Sequence, residues 1–412
     1  MDQPDSLLTN AKYDVCITTI TFFPDINATA KLMYDLAGDL ADKGLKVVVL
    51  TQNRSYNDPN KIFPSFERIG GFDVIRVSLP SFDKNKGLAK LLMYLFFAQK
   101  ASAKVKKIQA NLFFAVFPPF FTAYYMMKKC LERSIPFVLI LHDLHPDTAI
   151  RRKQISARHP LALLLKRQTR ALMKESTRIV TLGRDVNEYL KRIYGVTDDR
   201  MVYIPNWGRP MPSFHGAKPD EEAPFTVLYA GNFGEASDFW TLLKAAKKVQ
   251  ELDRKISFLL VGNGRKRAAL EDYAKKEQID NIRFSDFLPE EEYLELLRQA
   301  SVCVVTLRES SMGMSVPSKF YYYLSAGKPI LAILPEQSEV ARAINEDCLG
   351  CVCTNDDPDC AAEAILKLKK DTVFYKKICM NVENVFRRKY SQQVCTEKYF
   401  NLIKELAGSC DK

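Results

Sequence analysis

Three segments in the first fifty residues constrain this chain most. YDVCITTITFFPD is a short apolar strand that ends in a Pro-Asp turn. NATAKLMYDLAGDLADKG has helical spacing at Leu32, Leu36 and Leu40 with Gly44 as its stop, and LKVVVLT is a second apolar strand. Strand, helix and strand in that order form a βαβ unit. The rhythm continues through FDVIRVSL, a helix over about 88–108, LFFAVF, a helix from near Phe121, and FVLILHD. Continuously apolar strands alternating with helices predict a parallel sheet covered on both faces, a Rossmann-like architecture.

The pattern restarts after Pro205. GRPMPSFHGAKPDEEAP, rich in Pro, Gly and charge, reads as a linker, and FTVLYAG, a helix over about 239–252, ISFLLVGNG, IRFSDF, EEYLELLRQA, VCVVTL, KFYYYLSAG and PILAIL follow. A chain of 412 residues exceeds what one core accommodates, roughly 250–300. The expectation is therefore a first domain over 1–205, a linker over 206–224, a second Rossmann-like domain over 225–390 and a last helix within 391–412 that crosses back to the first. Two doubly wound domains would face a central cleft, with ligands at the carboxyl ends of their strands. The apolar run 112–127 is too short to span a bilayer and is broken by Pro118-Pro119, so it reads as strand, turn and helix.

The net charge of +11 is unevenly spread. Residues 1–205 hold 31 Lys and Arg against 19 Asp and Glu, and within them 84–178 hold 19 against four. KGLAKLLMYLFFAQKASAKVKKIQ and RRKQISARHPLALLLKRQTRALMK mix basic and apolar residues as interfacial helices do, which points to an anionic membrane surface; no nucleic-acid fold accompanies the charge. The ten cysteines are scattered and the N-terminus lacks a signal-peptide plan, which fits a reducing cytoplasm. Cys348, Cys351, Cys353 and Cys360 cluster, but GCVCT reads as a strand with small buried thiols and no metal site.

Candidate site residues lie just after strands. The loop with Gly231, Asn232 and Gly234 precedes a helix whose N-terminal N–H groups suit an anion. Gly262 and Gly264 open GNGRKR, whose bases sit where cations oppose the helix dipole unless an anion is near, and Arg267 is the one chosen. Ser315, Pro317 and Ser318 start a helix with Lys319 in its first turn, Tyr322 on the same face and Gly327 as its stop, an anion site with a built-in cation. In LILHDLHPD, His142, Asp143, His145 and Asp147 end a buried strand, a histidine-carboxylate grouping of the acid/base or orienting kind.

The segments FFPDINATAKLMYDLAGDLADKGLKVVVLT, FDVIRVSLPSF, LHDLHPD, IPNW, YAGNFG, FLLVGNG and PSKFYYYLSAGKPILA together resemble the retaining glycosyltransferases of family 4, in their WcaI/WbuB-like bacterial polysaccharide branch. The resemblance implies the two-domain GT-B fold and transfer of a sugar, with retention and without an essential metal or cofactor, from a UDP- or GDP-linked donor. It further implies a saccharide acceptor, polyprenyl-diphosphate-linked, and an enzyme attached peripherally to the inner face of the cell membrane. The family's Glu-x7-Glu pair falls on Met314 and Tyr322, so Glu309 is the acid left to contact the donor sugar. Its basic residue after the first glycine loop is missing from GNFGEASD, which leaves the diphosphate to Lys319 and Arg267. Asn27-Ala28 replaces a glycine pair in the first domain and narrows the acceptor's room. Two other readings fit the same outline, a UDP-GlcNAc 2-epimerase and a nucleotide-sugar-binding subunit without catalysis.

Overall fold

The computed structural model describes residues 11–25, 27–56, 58, 60–82, 87–209, 211 and 225–408. The linker expected over 206–224 lies mostly outside these residues, as does the start of the chain. As far as described, 11–182, 186–205 and 395–408 form one compact unit, and 183–185 with 206–394 form a second.

The first unit is built on strands β1 (Lys12–Thr18), β2 (Val47–Gln52), β3 (Phe66–Ile69), β4 (Phe72–Val77), β5 (Gln109–Phe117), β6 (Phe137–Leu141), β7 (Arg178–Thr181) and β8 (Met201–Tyr203). Their order in the sheet is β3-β4-β2-β1-β5-β6-β7-β8. Every pairing is parallel except β3 with β4. All residues of β2, β4 and β6 are buried, as a sheet with both faces covered requires. The apolar run becomes β5 and the helix Phe120–Glu132, and among the described residues no helix is long and apolar enough to cross a membrane. The helix Gln392–Gly408 belongs to this unit from Cys395 on: Tyr399 packs on Phe114 with ring centroids 6.0 Å apart, and Thr396 donates to Asp39 at 2.7 Å.

The second unit carries β9 (Phe225–Ala230), β10 (Ile256–Val261), β11 (Ile282–Ser285), β12 (Val302–Thr306), β13 (Ile330–Ile333) and β14 (Gly350–Cys353) in the order β11-β10-β9-β12-β13-β14, all parallel. One expectation changes here. Cys353 is disulfide-bonded to Cys360, with Cα atoms 5.7 Å apart, so these two are not free packing thiols. The Asp357 side chain caps the helix Pro358–Lys370 by accepting from Cys360 N–H, and this turns the helix start back onto the end of β14.

Candidate functional site

Among the parallel strands of each sheet the order reverses at one place: between β1 and β5, and between β9 and β12. On either side of such a point right-handed crossovers send the chain to opposite faces, which opens a crevice at the carboxyl ends.

In the second unit the crevice is bordered by the two glycine loops. Gly231 N–H donates to Val261 O at 2.9 Å, Phe233 N–H to Asn263 O at 2.9 Å and Lys266 N–H to Phe233 O at 3.1 Å. The loops touch so closely that a Cβ on Gly262, whose φ is +135°, would collide with the Gly231 carbonyl. Gly264 likewise fits against Asn232 and Phe233, so these two glycines serve loop-on-loop packing first. A Cβ on Gly231 would lie 2.8 Å from Lys319 Nζ, so its absence makes room for that cation. Gly234 and the exposed Asn232 complete the first loop.

Lys319 opens the helix Lys319–Ser325, preceded by the half-buried Ser315, Pro317 and Ser318. Ser318 is the N-cap residue, yet its hydroxyl makes no cap bond. The ammonium sits 3.4 Å from the Tyr229 ring centroid, and burial pushes its pKa well below the usual lysine value. Among the described residues no carboxylate pairs with it. Tyr229 also donates to Asn232 O at 3.0 Å, and the Tyr323 hydroxyl accepts from Ala230 N–H at 2.9 Å. Two tyrosines thus fix the loop that Lys319 faces. Tyr229 and Tyr323 lie in the segments YAGNFG and KFYYYLSAG, but nothing in their spacing marks them as holding this loop. Tyr322 is half-buried on the same short helix as Lys319, while Met314 is buried.

Three expectations change. Arg267 is not free for a phosphate: its guanidinium meets Glu271 at 2.7 Å, Asp286 at 2.8 Å, Gly262 O at 2.7 Å and Ser285 O at 2.9 Å, and so braces the second loop. The three bases do not share a first turn, since the helix starts at Arg267 with Lys266 as its cap residue. The helix Phe239–Leu252 does not offer an open N-terminus either. Asp238 caps it, accepting from Thr241 N–H at 3.3 Å, Thr241 Oγ1 at 2.7 Å and Asn355 Nδ2 at 3.1 Å. Glu309 is exposed in a single turn after β12 and among the described residues makes no ion pair.

In the first unit His142 N–H bonds Phe117 O at 2.9 Å, which sets the end of β6 beside that of β5. Its Nδ1 lies 3.4 Å from Thr29 Oγ1, on the helix Ala28–Asp42 that follows β1, and among the described residues its buried Nε2 has no partner. Asn27 caps that helix through Oδ1, at 2.9 Å from Ala30 N, and leaves Nδ2 buried and, among the described residues, unpartnered. Burial lowers the pKa of both His142 and His145 to about 4, so both are neutral near pH 7.

Asp147 does not join this group. It is buried at the start of the helix Asp147–Arg151, where Tyr189 donates to it at 2.8 Å, Tyr194 also donates, and Lys166 lies 3.8 Å away. The expected histidine-carboxylate pair therefore does not form with Asp147, because two hydroxyls and a lysine already engage its carboxylate. Asp143 is half-buried beside His142 in the chain, its N–H 3.4 Å from Phe117 O.

The basic stretch places its apolar residues unevenly. The helices Gly87–Val105, Phe120–Glu132 and Pro160–Glu175 pack in sequence. Leu92, Phe96, Tyr125, Leu161, Leu163 and Leu164 are exposed on them, and the last carries exposed Arg167, Arg170 and Lys174.

The comparisons with known proteins agree with this geometry. Residues 29–207 match the Glycosyltransferase Family 4 model, and residues 224–371 match the model described as Glycosyl transferases group 1. The chain is 25% identical over 340 residues to "Probable glycosyltransferase WbjE" of Pseudomonas aeruginosa, covering 78% of this chain and 81% of that one. It is 24% identical over 211 residues, 47% of this chain and 51% of the other, to a protein assigned as the colanic acid biosynthesis glycosyl transferase WcaI of Escherichia coli K12. Among solved structures, sucrose-phosphate synthase of Thermosynechococcus elongatus superposes with a TM-score of 0.76 at 15% identity, over 97% of this chain and 100% of that one. Anabaena HepE in complex with UDP and glucose gives 0.67 at 12% identity, over 95% and 100%. With both halves matched by glycosyltransferase models and the doubly wound sheets shared with these structures, the chain is a glycosyltransferase of GT-B fold, similar to the family 4 and group 1 models and to WbjE and WcaI.

Proposed function

We propose that this glycosyltransferase moves a sugar from a nucleoside diphosphate donor to a polyprenyl-diphosphate-linked saccharide, with retention at the anomeric carbon, in surface polysaccharide assembly. One observation carries the donor side: Lys319, half-buried at the switch point of the second sheet, has a tyrosine face beneath it and no carboxylate beside it. A cation so placed is destabilised until an anion arrives, and the diphosphate of a sugar nucleotide supplies one. HepE, a structural neighbour, is described in complex with UDP and glucose, and WcaI in colanic acid biosynthesis.

In the reaction the bond from the anomeric carbon to the diphosphate oxygen breaks and one to an acceptor hydroxyl forms on the same face. The acceptor proton passes to the leaving diphosphate, whose growing charge Lys319 offsets. His142, neutral and with its buried Nε2 unpartnered among the described residues, acts as a hydrogen-bonding group that orients a hydroxyl, since a histidine with a pKa near 4 is a weak base.

The acceptor's lipid would hold the first unit at an anionic membrane surface. The exposed leucines 161, 163 and 164 beside Arg167, Arg170 and Lys174 support this, with apolar insertion and charge attraction on one helix.

Incubation with a panel of UDP-, GDP-, ADP- and CDP-sugars, with and without polyprenyl-diphosphate-linked saccharides, tests the reading. Acceptor-dependent transfer with the anomeric configuration kept is expected. Epimer formation without acceptor would replace the reading by a 2-epimerase, and binding without turnover by a non-catalytic subunit.

A further inference from the structure

The first glycine loop, GNFGEASD, contains no basic residue, and Arg267 is engaged by two carboxylates. A diphosphate carries more charge than Lys319 alone offsets. Two other cations reach the same loop from different directions. Lys266 closes the second glycine loop and folds back over the first: its N–H bonds Phe233 O, and its Nζ lies 3.4 Å from Ser237 O and 3.4 Å from Glu235 Oε2. Its side chain is only 11% exposed, although that of Glu235, its ion-pair partner, is 48% exposed. Arg308 ends β12 on the other side of the switch point, where its N–H bonds Ala236 O at 2.7 Å. It is half-buried, and among the described residues no carboxylate pairs with its guanidinium.

Burial, and after it the charge of Arg308, lowers the Lys266 pKa; Glu235 and Asp238 act the other way. Two cations at one loop, whose one ion-pair contact among the described residues is that of Lys266 with the exposed Glu235, are an arrangement that a bound dianion relieves.

We infer that Lys266 and Arg308 form a second anion-binding position at the far end of the loop from Lys319, and that it takes the diphosphate of the donor. The inference rests on the donor reading above and names residues that reading does not need. Glu235 then acts as a stand-in counter-ion that the ligand displaces, while Lys319 holds the Gly231 end. The chemistry is that of a diphosphate, which a sugar nucleotide or free pyrophosphate could present.

Calorimetric titration separates these. The probes are UDP, GDP, ADP and CDP, the matching nucleosides and inorganic pyrophosphate, against the wild type and Lys266→Met, Arg308→Gln, Lys266→Arg and Glu235→Gln. The wild type should bind at least one nucleoside diphosphate more tightly than its nucleoside or pyrophosphate. Lys266→Met and Arg308→Gln should each weaken that diphosphate by about tenfold or more while leaving the nucleoside within about twofold, which also reports that the site is folded. Lys266→Arg should retain the affinity, and Glu235→Gln should raise it. If the wild type binds a diphosphate and neither Lys266→Met nor Arg308→Gln weakens it, the second position is wrong and the donor reading stands. If the wild type binds none of the four, both fall. Pyrophosphate binding as tight as the nucleoside diphosphate would make this a product or phosphate site instead.

Discussion

The carboxyl ends of the two sheets treat charge in opposite ways. In the first unit Asp147 is buried but fully met, by two tyrosine hydroxyls and a lysine, and His142 is held neutral by its surroundings. In the second, Lys319 and Arg308 are half-buried with no carboxylate partner among the described residues, and Lys266 has one at 3.4 Å. A buried charge whose partners are all supplied by its own chain stabilises the fold, whereas one left unmet is stabilised by a ligand. The contrast sets apart two motifs of similar appearance, LHDLHPD and SVPSK: on the proposed reading Asp147 belongs to the scaffold and Lys319 to the reaction.

The largest effect should come from the glycine-loop packing of the second unit. Gly262→Ala must drive a methyl group into the Gly231 carbonyl at a φ of +135°, and roughly 3 kcal/mol of that unit's stability should be lost in denaturant unfolding. An unchanged midpoint would show that the loops are not wedged together. Next, Asp147→Ala should cost about 2 kcal/mol of stability by leaving Tyr189 and Tyr194 without their acceptor, yet diphosphate affinity in the folded protein should not change. A variant equally stable but without turnover would return Asp147 to the catalytic group.

The histidines give a pH signature confined to the first unit. His142 and His145 have folded pKa values near 4, below the ordinary 6.5, so unfolding takes up protons as pH falls. Their contribution to stability is whole above pH 6.5 and is lost progressively between 6.5 and about 4. Equilibrium unfolding of His142→Gln should flatten part of that fall. A rate limb near pH 6–7 that disappears in this variant would instead show His142 titrating as a base at work. The smallest change in stability, within about 0.5 kcal/mol, belongs to Leu163→Ser with Leu164→Ser, because both side chains are already exposed. The same pair should lower binding to anionic vesicles, and undiminished binding would remove these leucines from the membrane face.

Much of this was legible in the residues. Apolar strands alternating with helices fixed two parallel sheets, because strands buried on both faces leave a continuous apolar signal that charge and turns interrupt clearly. The antiparallel edge strand β3 was not legible, since FERI is half-exposed and carries two charges. β7 and β8, four and three residues long, were missed for their brevity. At the site, the PSK segment lies at a helix start with Lys319 in the first turn, as expected, because a lysine in a first helical turn is electrostatically conspicuous. Arg267 misled for the same reason. Its answering carboxylates are Glu271, one helical turn on, and Asp286, from beyond β11, and Asp286 in particular is a partner that sequence spacing does not reveal. Lys266 and Arg308 were overlooked because only the folded loops bring positions 235–237, 266 and 308 together.

Lys319 is where the contrast is tested most directly. Lys319→Ala should weaken the preferred nucleoside diphosphate by 1.5–3 kcal/mol, about tenfold to a hundredfold, while the nucleoside alone binds as before, because only the diphosphate loses a charged partner. Calorimetric dissociation constants for the two ligands on the wild type and this variant decide it. An equal loss for both ligands, or none for either, would mean that the unmet cation at the switch point of the second sheet does not hold the donor's diphosphate.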